Sequence, residues 1–132
     1  MTDPKSTDAI NDIRHTLGAR LHTLKVAQAA ERLQREQGQA EPWIVVSAFG
    51  LALAFTQAPM GRLASPVSTD AHRAKRFDSE AEAQAVANLV TDGTGARARA
   101  VPLDRALAAD IAGLEGLLVT VDQHLASLKA KS

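Results

Sequence analysis

LAADIAGLEGLLVTVDQHLASL, residues 107–128, is the stretch that decides the fold of this chain. Its apolar side chains recur at alternating steps of four and three residues. This spacing places them on one face of an α-helix. The face consists of Leu107, Ile111, Leu114, Leu118, Val121, Leu125 and Leu128. We therefore predict a long amphipathic C-terminal helix, within residues 102–132, whose apolar face must be covered by other side chains.

The width of this face indicates what covers it. From Ile111 onwards the steps average close to the ~3.5 residues that keep a coiled-coil seam facing its partner. Leu117 lies beside this seam and widens it. Since a two-stranded coiled coil needs only a narrow seam, the wide face favours a cluster of three or four helices.

A second long helix is predicted at the other end of the chain, over residues 7–37 of an N-terminal arm, residues 1–41. Gly38 suits the left-handed position that follows a helix end. The apolar face of this helix consists of Ile10, Ile13, Leu17, Leu21 and Leu24. Two such helices from each of two copies would form a four-helix interface, so we predict a homodimer that uses both faces and Leu117. Whether the long helices pair within one chain or between chains stays open at this point.

Residues 42–101, between the two helices, predict a small α+β unit. Pro42 is followed by β-branched and aromatic residues, which favour a strand, and Trp43 is expected as a core anchor. We predict strands over 43–46, 51–55, 72–77 and 97–101, a loop over 56–71 and a helix over 80–90. The fold class is then α+β and mainly helical: a long N-terminal helix, a small antiparallel sheet with one packed helix (β-β-β-α-β), and a long C-terminal amphipathic helix.

Composition narrows the function classes. The chain has no cysteine, which excludes disulfides, thiolate catalysis and Cys-based metal sites. Its formal net charge is zero, so no global field holds it on DNA or on an anionic membrane. Its longest apolar stretch, residues 43–55, is far shorter than the roughly 20 residues that span a bilayer. We expect a cytoplasmic protein with no membrane partner.

The sequence contains no recognisable catalytic, metal-binding or phosphate-binding motif. His15 and His22 lie two helical turns apart, about 10 Å along the axis, which is too far for one metal ion. The serines form no Gly-x-Ser-x-Gly elbow, and the Gly93–Gly95 turn lacks the Gly-Lys-Ser/Thr ending of a phosphate loop. We therefore expect a non-enzymatic protein with no metal and no cofactor.

Basic residues lie on two of the predicted strands: Arg73, Lys75 and Arg76 on one, Arg97 and Arg99 on the other. Alternate residues of a strand share a face, so the two sets would form one basic surface if the strands were neighbours. Such a surface fits an acidic protein partner or the phosphates of a nucleic acid. A solvated face that prevents edge aggregation is the third interpretation. Zero net charge and few aromatic residues make nucleic acid the weaker of the two ligands.

In its general character the chain resembles many small phage or mobile-element proteins, since it is short, neutral, rich in alanine and without catalytic motifs. Such proteins often bind and block a host protein, as anti-CRISPR inhibitors do. The resemblance implies a binding role and names no site. We therefore expect a protein-binding module that homo-oligomerises. More specifically, we expect an inhibitor of a host defence complex. The alternatives are a nucleic-acid-binding regulatory accessory protein and a small structural or assembly subunit.

Overall fold

The computed structural model describes residues 4–57 and 63–131 of the chain. The fold is α+β and mainly helical, as predicted. The helices are α1 (Pro4–Glu36), α2 (Glu80–Thr94) and α3 (Leu103–Lys131), and a short 3-10 helix covers Ala71–Arg73. The strands are β1 (Trp43–Val46), β2 (Ala52–Gln57), β3 (Leu63–Thr69) and β4 (Arg99–Pro102). No helix in these described ranges is long and apolar enough to cross a membrane.

The strands form an antiparallel sheet in the order β3-β2-β1-β4. Side chains of β1 alternate between its two faces. Ile44 and Val46 are buried in a core with α1 and α3, whereas Val45 is buried in a second core with α2. Trp43 packs half-buried against this second core, as a core anchor would. The sheet is therefore covered by the long helices on one face and by α2 on the other.

The two long helices, α1 and α3, pack against each other in antiparallel orientation. Arg14, near the start of α1, pairs with Asp122, near the end of α3. Arg32, near the end of α1, pairs with Asp104 at the start of α3, with 3.0 Å between Nε and Oδ1. Leu24 is fully buried between these helices and the sheet. The long helices thus pair within one chain.

The strand β3 lies where the sequence predicts a loop. The loop prediction is wrong over residues 56–57, which belong to β2, and over residues 63–69, which pair with β2. Residues 58–62 of that predicted loop lie outside the described residues. Serine, threonine and proline make this stretch look like a loop, but backbone pairing with β2 outweighs their low strand propensity. Pro66 is tolerated because β3 lies at the edge of the sheet.

The predicted strand over residues 72–77 is wrong for most of its length. The 3-10 helix takes its first two residues, and only Phe77 forms a β-bridge. Phe77 and Trp43 exchange two backbone hydrogen bonds of 2.8 and 2.9 Å. On this side of β1, Val46 already pairs with β2. Residues 72–77 can therefore pair with β1 only at Trp43.

The end of α2 also differs from the prediction. The helix continues to Thr94 rather than ending near residue 90. Gly95 closes it in the left-handed conformation, with a φ of +75°, and donates its N–H to the Thr91 carbonyl at 2.8 Å. A Cβ is strained at this φ, which is why a glycine ends the helix here.

The outer edge of β4 is closed by side chains of α2. The Ala98 N–H donates to Oγ1 of Thr91 at 2.9 Å, and the Ala100 N–H donates to Oε1 of Gln84 at 3.1 Å. Pro102, the next residue that alternates with these two, has no N–H. An unprotected edge strand invites pairing with another chain, so these contacts keep β4 from acting as a docking edge.

Candidate functional site

The long helices extend past the sheet as a two-helix arm. Among the described residues, the core against the sheet reaches no further than Leu17 on α1 and Leu114 on α3. We call residues 4–16 and 115–131 the arm. Its two helices cover each other on one side, where Leu125 is buried. On the side that the sheet covers farther along, the arm exposes Ile13 and Leu117.

The predicted interface residues divide into three groups by exposure. Buried within the chain are Leu24, Leu107, Ile111, Leu114 and Leu125. Partly buried are Ile10, Leu17, Leu21, Leu118, Val121 and Leu128. Exposed are Ile13 at 53% and Leu117 at 47%. The buried group contributes to the fold of one chain, so only the other two groups remain open to a partner.

Ile13 and Leu117 continue the sheet-facing side of their helices beyond the sheet. Arg20 of α1 binds Asp70, and Asp110 of α3 accepts the N–H of Ala71 at 3.0 Å, so both side chains face the segment that follows β3. Ile13 lies seven residues before Arg20, and Leu117 lies seven residues after Asp110. Seven residues are two helical turns, which return to the same face about 10 Å further along. The arm therefore exposes apolar side chains where the rest of the helix pair has a sheet.

Val121 and Leu128 lie on the same side of α3 as Leu117. They follow it by four and eleven residues, which are helical spacings for one face. Both are partly buried. Together with Ile13 they form a set that we call the arm face: Ile13, Leu117, Val121 and Leu128.

The junction below the arm holds two carboxylates in contrasting environments. Nε of Arg20 donates to both oxygens of Asp70, at 2.8 and 2.9 Å. These hydrogen bonds lower the pKa of Asp70. Burial raises the pKa of Asp110, and the hydrogen bond from the Ala71 amide offsets this only in part. Nδ1 of the neighbouring His72 is buried and has no hydrogen-bond partner among the described residues.

This junction was not among the predicted sites, because its residues come from three separate parts of the sequence. It fixes the 70–71 segment to both long helices. Within the described residues, no group of three or more histidine or acidic side chains is placed to hold a metal ion. We interpret the junction as the structural base of the arm.

The predicted basic residues do not form one surface. Phe77 pairs with Trp43 on one side of β1, and β4 pairs with β1 on the other. Arg73, Lys75 and Arg76 are therefore separated from Arg97 and Arg99 by the width of β1. Arg76 has a structural role, since its guanidinium donates to the buried carboxylate of Glu31.

Arg97 and Arg99 instead come together with Arg105, at the turn between β1 and β2. Arg97 and Arg99 line a cleft of about 430 Å³ with Ser47 and Ala48. Arg99 and Arg105 line a second cleft of about 170 Å³, whose other lining residues are Val46, Gly50, Ala52, Val101, Ala106, Ala109 and Asp110. Arg105 was not predicted, although its position in the first turn of the helix that follows β4 is a usable signal.

Comparison of the chain with protein-family models, with curated proteins and with solved structures found no match.

Proposed function

We propose that this chain is a non-enzymatic protein-binding module that acts in the cytoplasm as a homodimer formed through the arm face. The observation that carries the proposal is the exposure of Ile13 and Leu117 on a side that the sheet covers elsewhere. Each is about half exposed, so covering it contributes on the order of 1 kcal/mol per side chain. A twofold axis repeats this contribution on both copies.

The shape and the chemistry of the arm favour a second copy as its partner. The arm is an antiparallel helix pair with an apolar side, and two such pairs packed face to face make a four-helix bundle. In a twofold dimer the same patch serves both copies, so the chain needs no second specialised surface. The partner-binding surface then remains free on the α+β part of each copy.

The proposal is tested by sedimentation equilibrium of the wild type and two matched variants. Leu117→Asp places a charge on the arm face. Val119→Asp places the same charge two residues away, on a side chain that is 57% exposed and points about 200° around the helix. We expect dimer mass for the wild type and for Val119→Asp, and monomer mass for Leu117→Asp.

A monomeric wild type at micromolar concentration would overturn the dimer. Dimer mass for Leu117→Asp would place the interface elsewhere on the chain, and monomer mass for both variants would show that the effect is not specific to the arm face. Circular dichroism checks that both variants keep the helical content of the wild type. An inhibitor of a host defence complex stays a prediction from the general character of the sequence.

A further inference from the structure

The turn between β1 and β2 presents an exposed aromatic side chain on an ordered support. Phe49 is 87% exposed, and Leu51 beside it is also exposed. The Ser47 N–H donates to the Leu51 carbonyl at 2.8 Å, and Oγ of Ser47 accepts the N–H groups of Phe49 and Leu51 at 3.3 Å each. Gly50 takes a φ of +78°, which closes the turn. The position of Phe49 is therefore set by the turn.

Arginine side chains surround this turn on the face of the sheet that α3 covers. Ala100 of β4 packs towards α2, so Arg99 points to the opposite face, and Arg97 lines a cleft together with Arg99. Arg105 joins them from the first turn of α3. Among the described residues, no acidic side chain forms an ion pair with these three arginines.

The acidic residue that lines a cleft with two of these arginines is already engaged. Asp110 lines the smaller cleft together with Arg99 and Arg105. Its carboxylate accepts the backbone N–H of Ala71, and its burial disfavours the charged form. The guanidinium groups of Arg97, Arg99 and Arg105 therefore keep most of their capacity to bind an external anion.

Exposed phenylalanine and unpaired arginine together are typical of a protein interface. Aromatic residues and arginine are enriched in interfaces and dominate their binding energy. A guanidinium also presents two parallel N–H donors that match a carboxylate. A nucleic acid would require the basic surface to extend further, but Arg73 and Lys75 lie on the other side of β1 and the chain has zero net charge.

We propose that Phe49, Arg97, Arg99 and Arg105 form a docking surface for an acidic segment of a partner protein. We call these residues the Phe49 surface. Carboxylates of the segment pair with the arginines, and an apolar side chain of the segment packs on Phe49. This inference rests on the protein-binding role proposed above but not on the dimer.

The test uses a fluorescently labelled glutamate–tyrosine copolymer as the probe, with binding measured by fluorescence anisotropy at low salt. We expect Arg97→Glu/Arg99→Glu to weaken binding by about tenfold or more, because it sets like charges against the probe. Arg73→Glu/Lys75→Glu changes the net charge equally and should stay within about twofold of the wild type. Phe49→Ser should weaken binding severalfold with no change in charge.

Equal losses for the two charge-reversal variants would overturn the proposal, as would an absence of copolymer binding at low salt. Tighter binding of oligothymidine, lost in Arg97→Glu/Arg99→Glu, would assign the surface to nucleic acid and overturn it as well. A change in the sedimenting mass of the free Arg97→Glu/Arg99→Glu chain would make a second copy the occupant, against the proposal. With a copolymer fragment too short to reach both copies of a dimer, Leu117→Asp should bind with the affinity of the wild type per chain, which separates this test from that of the dimer.

Discussion

Asp70 and Asp110 face the same guanidinium, that of Arg20, yet their pKa values move in opposite directions. Asp70 is stabilised as a carboxylate by hydrogen bonds from Arg20, so its pKa is lower in the folded chain than in the unfolded chain. Its contribution to stability is present above its unfolded pKa and is lost as the pH falls through its folded pKa. Burial makes the carboxylate of Asp110 the less favoured form, so this residue costs stability once it is ionised.

Replacement of Asp110 by asparagine should therefore stabilise the chain at neutral pH. Asp110→Asn keeps an oxygen that can accept the Ala71 N–H, and it removes the buried charge. The free energy of unfolding should exceed that of the wild type at pH 7. The gain should begin to shrink as the pH falls to the raised pKa of Asp110 and should be gone below the pKa of an aspartate in the unfolded chain. Urea unfolding across a pH series measures this difference.

Asp92→Asn gives the baseline for this series, since Asp92 is an exposed aspartate of α2. A gain that is the same at every pH, or a loss at neutral pH, would contradict the assignment of Asp110 as a destabilising buried charge.

At the scale of the elements, α2 both covers the sheet and closes its edge. Gln84→Ala would leave the Ala100 amide without its acceptor at a partly buried position. We expect a loss of about 1 kcal/mol in the free energy of unfolding and faster hydrogen exchange of the Ala100 amide. Gln84→Glu keeps the accepting oxygen and should retain the slow exchange. Unchanged exchange in Gln84→Ala would show that α2 does not close this edge.

The sequence predicts those elements whose signals are local. Both long helices follow from apolar spacing, and β1 follows from the β-branched run after Pro42. β3 cannot be predicted in this way, because residues 63–69 form a strand through pairing with β2 rather than through their own propensity. Residues 72–77 are the opposite case, because they look like a strand but do not form one. β2 occupies part of the edge of β1 with which they would pair.

The candidate site is likewise predictable only where its signal is local. Helical spacing identifies every residue of the arm face, but it also includes Leu24 and Leu107, which are fully buried in the core of the chain. The exposure of each residue depends on how far the sheet reaches along the helices. A local sequence pattern cannot predict that distance. The grouping of Arg105 with Arg97 and Arg99 likewise depends on the return of α3 over β4.

At the scale of the whole molecule, the chain is a two-faced sheet with a helical arm that projects from one side. The sheet uses β1 to separate two cores, and each core is completed by helices of the same chain. The arm is the part of this architecture whose apolar side chains, Ile13 and Leu117, are exposed in the single chain. A dimer through the arm face would cover them and hold two Phe49 surfaces in one particle, which raises the effective affinity for a partner with repeated acidic segments.

The absence of cysteine from the sequence permits the most direct test, which is site-specific crosslinking. Leu117→Cys chains, alone and mixed with Ile13→Cys chains, are treated with a short bis-maleimide and separated under denaturing conditions. The controls are Val119→Cys and Val26→Cys, whose native side chains are 57% and 55% exposed on other sides of the helices. A dimer through the arm face predicts a product of twice the chain mass from the arm-face cysteines and little from the controls. Equal or greater crosslinking of the controls, or no product at any position, would contradict it.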